Sequence, residues 1–120
     1  MYSPQLLNHF EHPRNAGAVP SPDAKARLQN PACGDLLELT LTLDGETVGA
    51  IGFLAKGCVA SLACASAVTE LARGRSIPAA RALTSADLLA AVGGLPPASM
   101  HAIHLALDAL QAALDQLPAK

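Results

Sequence analysis

Aromatic side chains are almost missing from this 120-residue chain: it has two Phe, one Tyr and no Trp, 2% in all. A core must therefore be packed from Leu, Ala, Val and Ile, which make up most of a hydrophobic content of 51%. Charge of one sign is lacking as well. Eight Lys/Arg against ten Asp/Glu give a net charge of −2, and the basic residues are scattered, so no field suited to a phosphate backbone forms. No apolar run approaches the ~20 residues of a membrane span, and the N-terminus has no basic-then-apolar leader pattern. A cytoplasmic protein without nucleic-acid or membrane partners is expected. Three cysteines, none in a CxxC pair, do not make a disulfide framework and suit reduced thiols kept for metal or sulfur chemistry.

What is present reads as one domain over residues 1–120, since no Pro/Gly/Ser-rich or charged linker divides it. Ser3 is placed to N-cap a helix with Pro4 in its first turn; Leu6, Leu7 and Phe10 share a face, and the helix stops at His12 before Pro13. Residues 14–31 read as an irregular connection with a short strand near Ala26–Gln29. Leu37, Leu39, Leu41 and Leu43 alternate with Glu38, Thr40, Thr42 and Asp44, a strand with one apolar face. Asp44-Gly45 signals a hairpin, returned by Val48 to Ala55 and ended by Gly57. An Ala-rich buried helix follows from Cys58 to Arg73, with Gly74 just past its end. Thr84 to Asp87 approaches a capping box before a short helix closed by Gly93-Gly94. Beyond Pro96-Pro97, the stripe Met100, Ile103, Leu107, Leu110, Leu114, Leu117 predicts a long helix lying on the sheet. Strands first and helices later give an α+β fold: a small antiparallel sheet with helices packed on one face.

Three segments could carry chemistry. Cys33 and Asp35 flank Gly34 at a loop tip before a strand, a credible metal chelate, although a turn with a buried cysteine has the same composition. Cys58 lies where a strand gives way to a helix, so helix amides, and Lys56 nearby, would favour its thiolate. His101 opens the last helix and can face the same end of the sheet. Cys64, about 240° round the helix from Cys58 at ~100° per residue, reads as core. His9, His12 and His104 read as surface or non-ligand residues.

The run His9-Phe10-Glu11-His12-Pro13-Arg14-Asn15-Ala16-Gly17 resembles the N-terminal signature H-Y-x-x-P-R-N-x-G of the IscU/NifU-type iron–sulfur cluster assembly scaffolds. Pro31 to Asp35 resembles that family's first cysteine motif, Gly57-Cys58 followed by small residues and Val68-Thr69-Glu70 the second, and Leu95-Pro96-Pro97 the approach to the third. The resemblance implies a non-enzymatic scaffold or carrier that holds iron or a [2Fe–2S] cluster through Cys33, Asp35, Cys58 and His101. Sulfur would come from a cysteine desulfurase and the cluster would pass to recipient apoproteins. A homodimer sharing one cluster belongs among the arrangements the resemblance allows. Where the family has His-Cys, this chain reads His101-Ala102, so the third thiol is missing. Glu38 stands where a lysine is common, and Leu95 to Ser99 lacks the Val-Lys ending that a DnaK-like chaperone recognises. Two other readings follow from these departures: a zinc-binding sulfur acceptor of the SufU kind, or a degenerate, regulatory relative.

Overall fold

A computed structural model describes residues 2–30 and 34–117. Helix α1 (Pro4–Glu11) begins where Ser3 accepts a hydrogen bond from the Leu6 amide, with Pro in its first turn. Three strands follow, β1 (Ala24–Gln29), β2 (Leu36–Asp44) and β3 (Thr47–Lys56), then helices α2 (Val59–Ala72), α3 (Ile77–Arg81) and α4 (Ser85–Ala91). A 3₁₀ turn (Pro97–Ser99) leads into α5 (His101–Leu114). The sheet is antiparallel throughout in the order β1-β2-β3.

The leucine alternation does what period two requires. Register sets Ala26 opposite Leu39 and Leu39 opposite Phe53, and likewise Ala24, Leu41 and Ile51, so these side chains form rows across one face. That face is covered by α5 and α2, and Leu39, Leu41, Ile103, Leu110 and Leu114 are buried there. Helix α2 is buried on nearly every side: Ala60, Ala63, Cys64, Ala65, Ala67, Val68 and Ala72 are all inside. Small residues let α1, α5 and β3 pack around it, which is why the segment has almost no amphipathic period. Helix α3 had no counterpart among the expected elements; Ser76 caps it, accepting from the Ala79 amide, but five residues are too short for a periodic signal. The expected box at α4 is present, Thr84 and Asp87 exchanging hydrogen bonds that hold the Asp87 carboxyl below its ordinary range.

The irregular segment after α1 is built into the sheet. Asn15 takes a left-handed conformation (φ 61°), which asparagine tolerates better than most residues. Its carbonyl accepts from the Phe53 amide at 3.1 Å, and Gly17 donates to the Phe53 carbonyl at 2.8 Å. The chain then crosses over Gly52 so closely that a Cβ there would stand 2.2 Å from the Gly17 carbonyl oxygen. At the opposite edge the Gln116 side chain imitates a strand: Oε1 accepts from the Lys25 amide at 3.0 Å, and Nε2 donates to the Lys25 carbonyl.

Two expectations about α1 are corrected. Leu7 and Phe10 are exposed, at 40% and 38%, whereas Leu6 is buried together with His9. His9 is therefore not a surface residue. Its Nδ1 lies 2.8 Å from Ser66 Oγ, which also accepts from the Arg14 amide at 2.8 Å. Both ring nitrogens are thereby engaged, Nδ1 at the hydroxyl and Nε2 facing Glu70 Oε1 at 3.6 Å. Glu70 also faces Arg14 Nε at 3.6 Å. The histidine and arginine of the N-terminal signature region and the glutamate of α2 thus fasten α1 and the turn after it to α2.

Burial, and next the Arg14 charge, hold the His9 pKa below its ordinary 6.5, with Glu70 opposing. The folded state therefore prefers the neutral ring, and the unfolded state binds more protons as pH falls below 6.5. The stabilisation is complete above that value and is lost as pH falls through the depressed folded pKa. Thermal melts from pH 7.5 downward should show a falling midpoint whose slope is shallower in His9→Gln, and equal slopes would count against this account.

Candidate metal centre

The pairing of Leu36 with Lys56 brings the start of β2 beside the end of β3. Asp35, the residue before β2, is thereby set against the turn that leaves β3. Gly57 makes that turn at φ 154°, and Cys58 becomes the N-cap of α2. The third approach comes from α5, whose first residue is His101.

Asp35 is buried, at 3% exposure, yet it is a carboxylate and must be satisfied. Its Oδ1 accepts from the Cys58 amide at 3.3 Å, and its Oδ2 accepts from the Ser61 hydroxyl. Oδ2 also lies 3.2 Å from His101 Nε2 and 3.7 Å from Cys58 Sγ, while Sγ and Nε2 are 3.8 Å apart. These three atoms make a triangle. A tetrahedral cation at the usual bond lengths, about 2.0–2.2 Å to N or O and about 2.3 Å to S, sets its ligand atoms roughly 3.3–3.7 Å apart. The triangle's sides of 3.2, 3.7 and 3.8 Å lie close to that range, and its donor set is one carboxylate, one thiol and one imidazole.

His101 is prepared for the task by its other nitrogen. Nδ1 lies 3.2 Å from the Ala98 carbonyl in the preceding turn. A carbonyl and a carboxylate both only accept, so each ring nitrogen stands at an acceptor and the ring is held in orientation from both ends; with the proton on Nδ1, the Nε2 lone pair would be free to meet a cation. The Cys58 sulfur receives the Ser61 amide at 3.4 Å, the first-turn donor that an N-cap thiolate uses. Cys58 is exposed and the His101 side chain partly so, at 32%, which leaves the triangle open on one side.

Of the expected ligands, Asp35, Cys58 and His101 come together, while Cys33 lies outside the described residues. Cys64 is core as expected, and burial, with the Cys58 charge adding to it, pushes its thiol up to about 12. His104 is exposed and takes no part in the triangle. Ala102 is buried at 1%. Glu38 faces Lys25 Nζ at 3.7 Å, on the sheet and away from the ligand atoms. Sequence reasoning read Gly57 only as the end of the sheet and passed over the roles of Ser61 and the Ala98 carbonyl. Only Ser61 had a signal, its spacing of three from a helix-capping cysteine.

The family description "NifU-like N terminal domain" matches residues 1–120. The chain is 38% identical over 114 residues to iron–sulfur cluster assembly scaffold protein IscU 1 of Archaeoglobus fulgidus, covering 95% of this chain and 74% of that one. It is 32% identical over 123 residues to the IscU scaffold protein of Escherichia coli K12, covering 99% and 95%. Among solved structures, the N-terminal part of a nitrogen-fixing NifU-like protein from Brucella abortus superposes with a TM-score of 0.75 at 19% identity, covering 95% of this chain and 92% of that one. That likeness bears on the fold: the same small sheet with helices on one face.

Proposed function

The chain belongs to the IscU/NifU-type family of the NifU-like N-terminal domain, and from that premise we propose that it is a scaffold or carrier for iron–sulfur cluster assembly. In this reading residues 1–120 act as one domain that holds iron or a [2Fe–2S] cluster through Asp35, Cys58, His101 and Cys33, without catalysing a reaction of its own. Sulfur is received from a cysteine desulfurase, and the cluster is handed to recipient apoproteins in the cytoplasm. Among the described residues, no helix is long and apolar enough to cross a membrane.

The observation that carries this reading is the triangle. Three candidate ligand atoms from the start of β2, the N-cap of α2 and the first residue of α5 lie within 4.8 Å of one another, with the imidazole ring anchored against the Ala98 carbonyl. With Cys33 the set numbers four. Two irons of a [2Fe–2S] cluster need four terminal ligands, usually thiolates but with imidazole accepted. Ala102 supplies none, so this cluster rests on two thiolates and should be labile. The same mixed set also suits one tetrahedral Zn²⁺, which is the observation favouring the second reading, a zinc-held sulfur acceptor.

The deciding experiment is the content of iron, zinc and acid-labile sulfide, with the visible spectrum, in protein purified and reconstituted without oxygen. Near-equal iron and sulfide with thiolate-to-iron absorption is the expected result. Zinc alone, unreplaced on reconstitution, would overturn the cluster reading in favour of the sulfur acceptor.

A further inference from the structure

Ser61 is not among the candidate ligands, one of the small residues that follow Cys58, yet it touches two of the three candidate ligand residues. It stands in the first turn of α2 and is buried, at 5% exposure. Its hydroxyl donates to Asp35 Oδ2 and lies 3.3 Å from Cys58 Sγ. Its backbone amide, independently, points at the same sulfur from 3.4 Å. A hydroxyl has one proton to give. Both neighbours accept it when charged, and Oγ is already within reach of each, so only rotation of the O–H bond selects between them.

We propose that Ser61 is a positioning residue shared by the two anionic ligands: its hydroxyl holds Asp35 Oδ2 in the triangle before a cation arrives and turns to Cys58 Sγ afterwards. The inference rests on the reading of Asp35 and Cys58 as ligands. Before loading, the carboxylate is the charged acceptor and takes the proton. A cation held by both groups would draw charge from Oδ2, and its binding would release the Cys58 thiol proton to solvent, leaving a sulfur anion within reach of the hydroxyl. A hydrogen bond to a metal-bound thiolate withdraws electron density from sulfur and moves its charge-transfer band to higher energy. One side chain thus acts on affinity through Asp35 and on electronic structure through Cys58.

The test uses the full chain with Co²⁺ as the probe metal, because its spectrum reports sulfur ligation directly. Alanine is a good helix former close to serine in size, so Ser61→Ala keeps α2; circular dichroism verifies this. Ser61→Ala should lower Co²⁺ affinity about tenfold, the ordinary cost of losing an outer hydrogen-bond partner, and shift the thiolate-to-cobalt band to lower energy. Ser61→Thr, which keeps the hydroxyl, should restore both. In an Asp35→Ala background the affinity effect should vanish and the band shift should persist. Unchanged affinity and band in Ser61→Ala would overturn the proposal. So would an equal affinity loss in the Asp35→Ala background without a band shift, the result of a merely structural role. Wild-type protein that binds Co²⁺ with no thiolate band would fail earlier, removing Cys58 as a ligand and the inference with it; a wild-type band with an inert Ser61→Ala defeats this inference alone.

Discussion

Anaerobic reconstitution of Cys58→Ser should yield protein with no thiolate-to-iron absorption and with iron and sulfide at least about tenfold below wild type, since even an outer hydrogen-bond partner is worth that much. Cys58 is the sulfur corner of the triangle and the one described cysteine that is exposed. A serine keeps the N-cap, because its hydroxyl accepts the first-turn amide at least as well as a thiol does. The fold is therefore retained. Its hydroxyl, however, stays protonated at neutral pH, so the corner is left without an anion and Asp35 and His101 remain as a two-point chelate. Bound iron and an absorption spectrum equal to wild type would refute the assignment of Cys58.

Gly57→Ala should weaken metal binding by a different route. A Cβ at this position would lie 2.3 Å from Asp35 Oδ1 and 2.7 Å from its Cγ, closer than such atoms approach, and Gly57 has φ 154°, which a side chain disfavours. Asp35 has little room to retreat: it is buried and held by the Cys58 amide and the Ser61 hydroxyl. Either the carboxylate leaves the triangle or the Cys58 amide moves off it. Stability should fall by about 1–3 kcal/mol, as for other overpacked sites, and metal affinity by roughly ten- to a hundredfold. Gly74→Ala is the control. That residue has φ 83° with nothing within 4 Å of an added Cβ, so it shares the backbone penalty and touches no ligand. Calorimetric titration of both variants separates the effects; wild-type affinity in Gly57→Ala would show that Asp35 is not a ligand.

Much of this arrangement could be read from residue order, because its signals are local. The Leu37 to Leu43 alternation, the Asp44-Gly45 turn, the Thr84 capping box and the helix start at Ser3-Pro4 each depend on neighbours within a few residues, and each is in the structure. Strand order was beyond reach, since a sheet of three strands joined by one hairpin leaves the place of β1 open. It was settled by pairing of Ala24–Gln29 with Leu36–Leu41. His9 was misplaced because a histidine beside Phe10 on a short helix looks solvated until its partners, Ser66 and Glu70 on α2, are known to lie against it from far along the chain.

The site divides in the same manner. Ligand types and their places at element ends were visible, since a thiol at a strand-to-helix junction and a histidine at a helix start are features of local order. Their distances were not, because the triangle is assembled from three separate stretches of chain. The supporting groups were harder still. Ser61, the Ala98 carbonyl and Gly57 do nothing recognisable alone, and their roles exist only relative to Asp35, Cys58 and His101.

The Gln116 amide that grips Lys25 has a bearing on how the protein behaves in a crowded solution. A bare outer strand is a template on which a second molecule can add its own, and repetition of that step builds insoluble aggregates. On β1, the peptide group of Lys25 already has a partner from its own chain, and on the far side Asn15 and Gly17 take both peptide groups of Phe53. Self-templating is thus obstructed at both borders by intramolecular contacts. A protein whose candidate metal centre is open on one side is in this way kept from polymerising along its flanks.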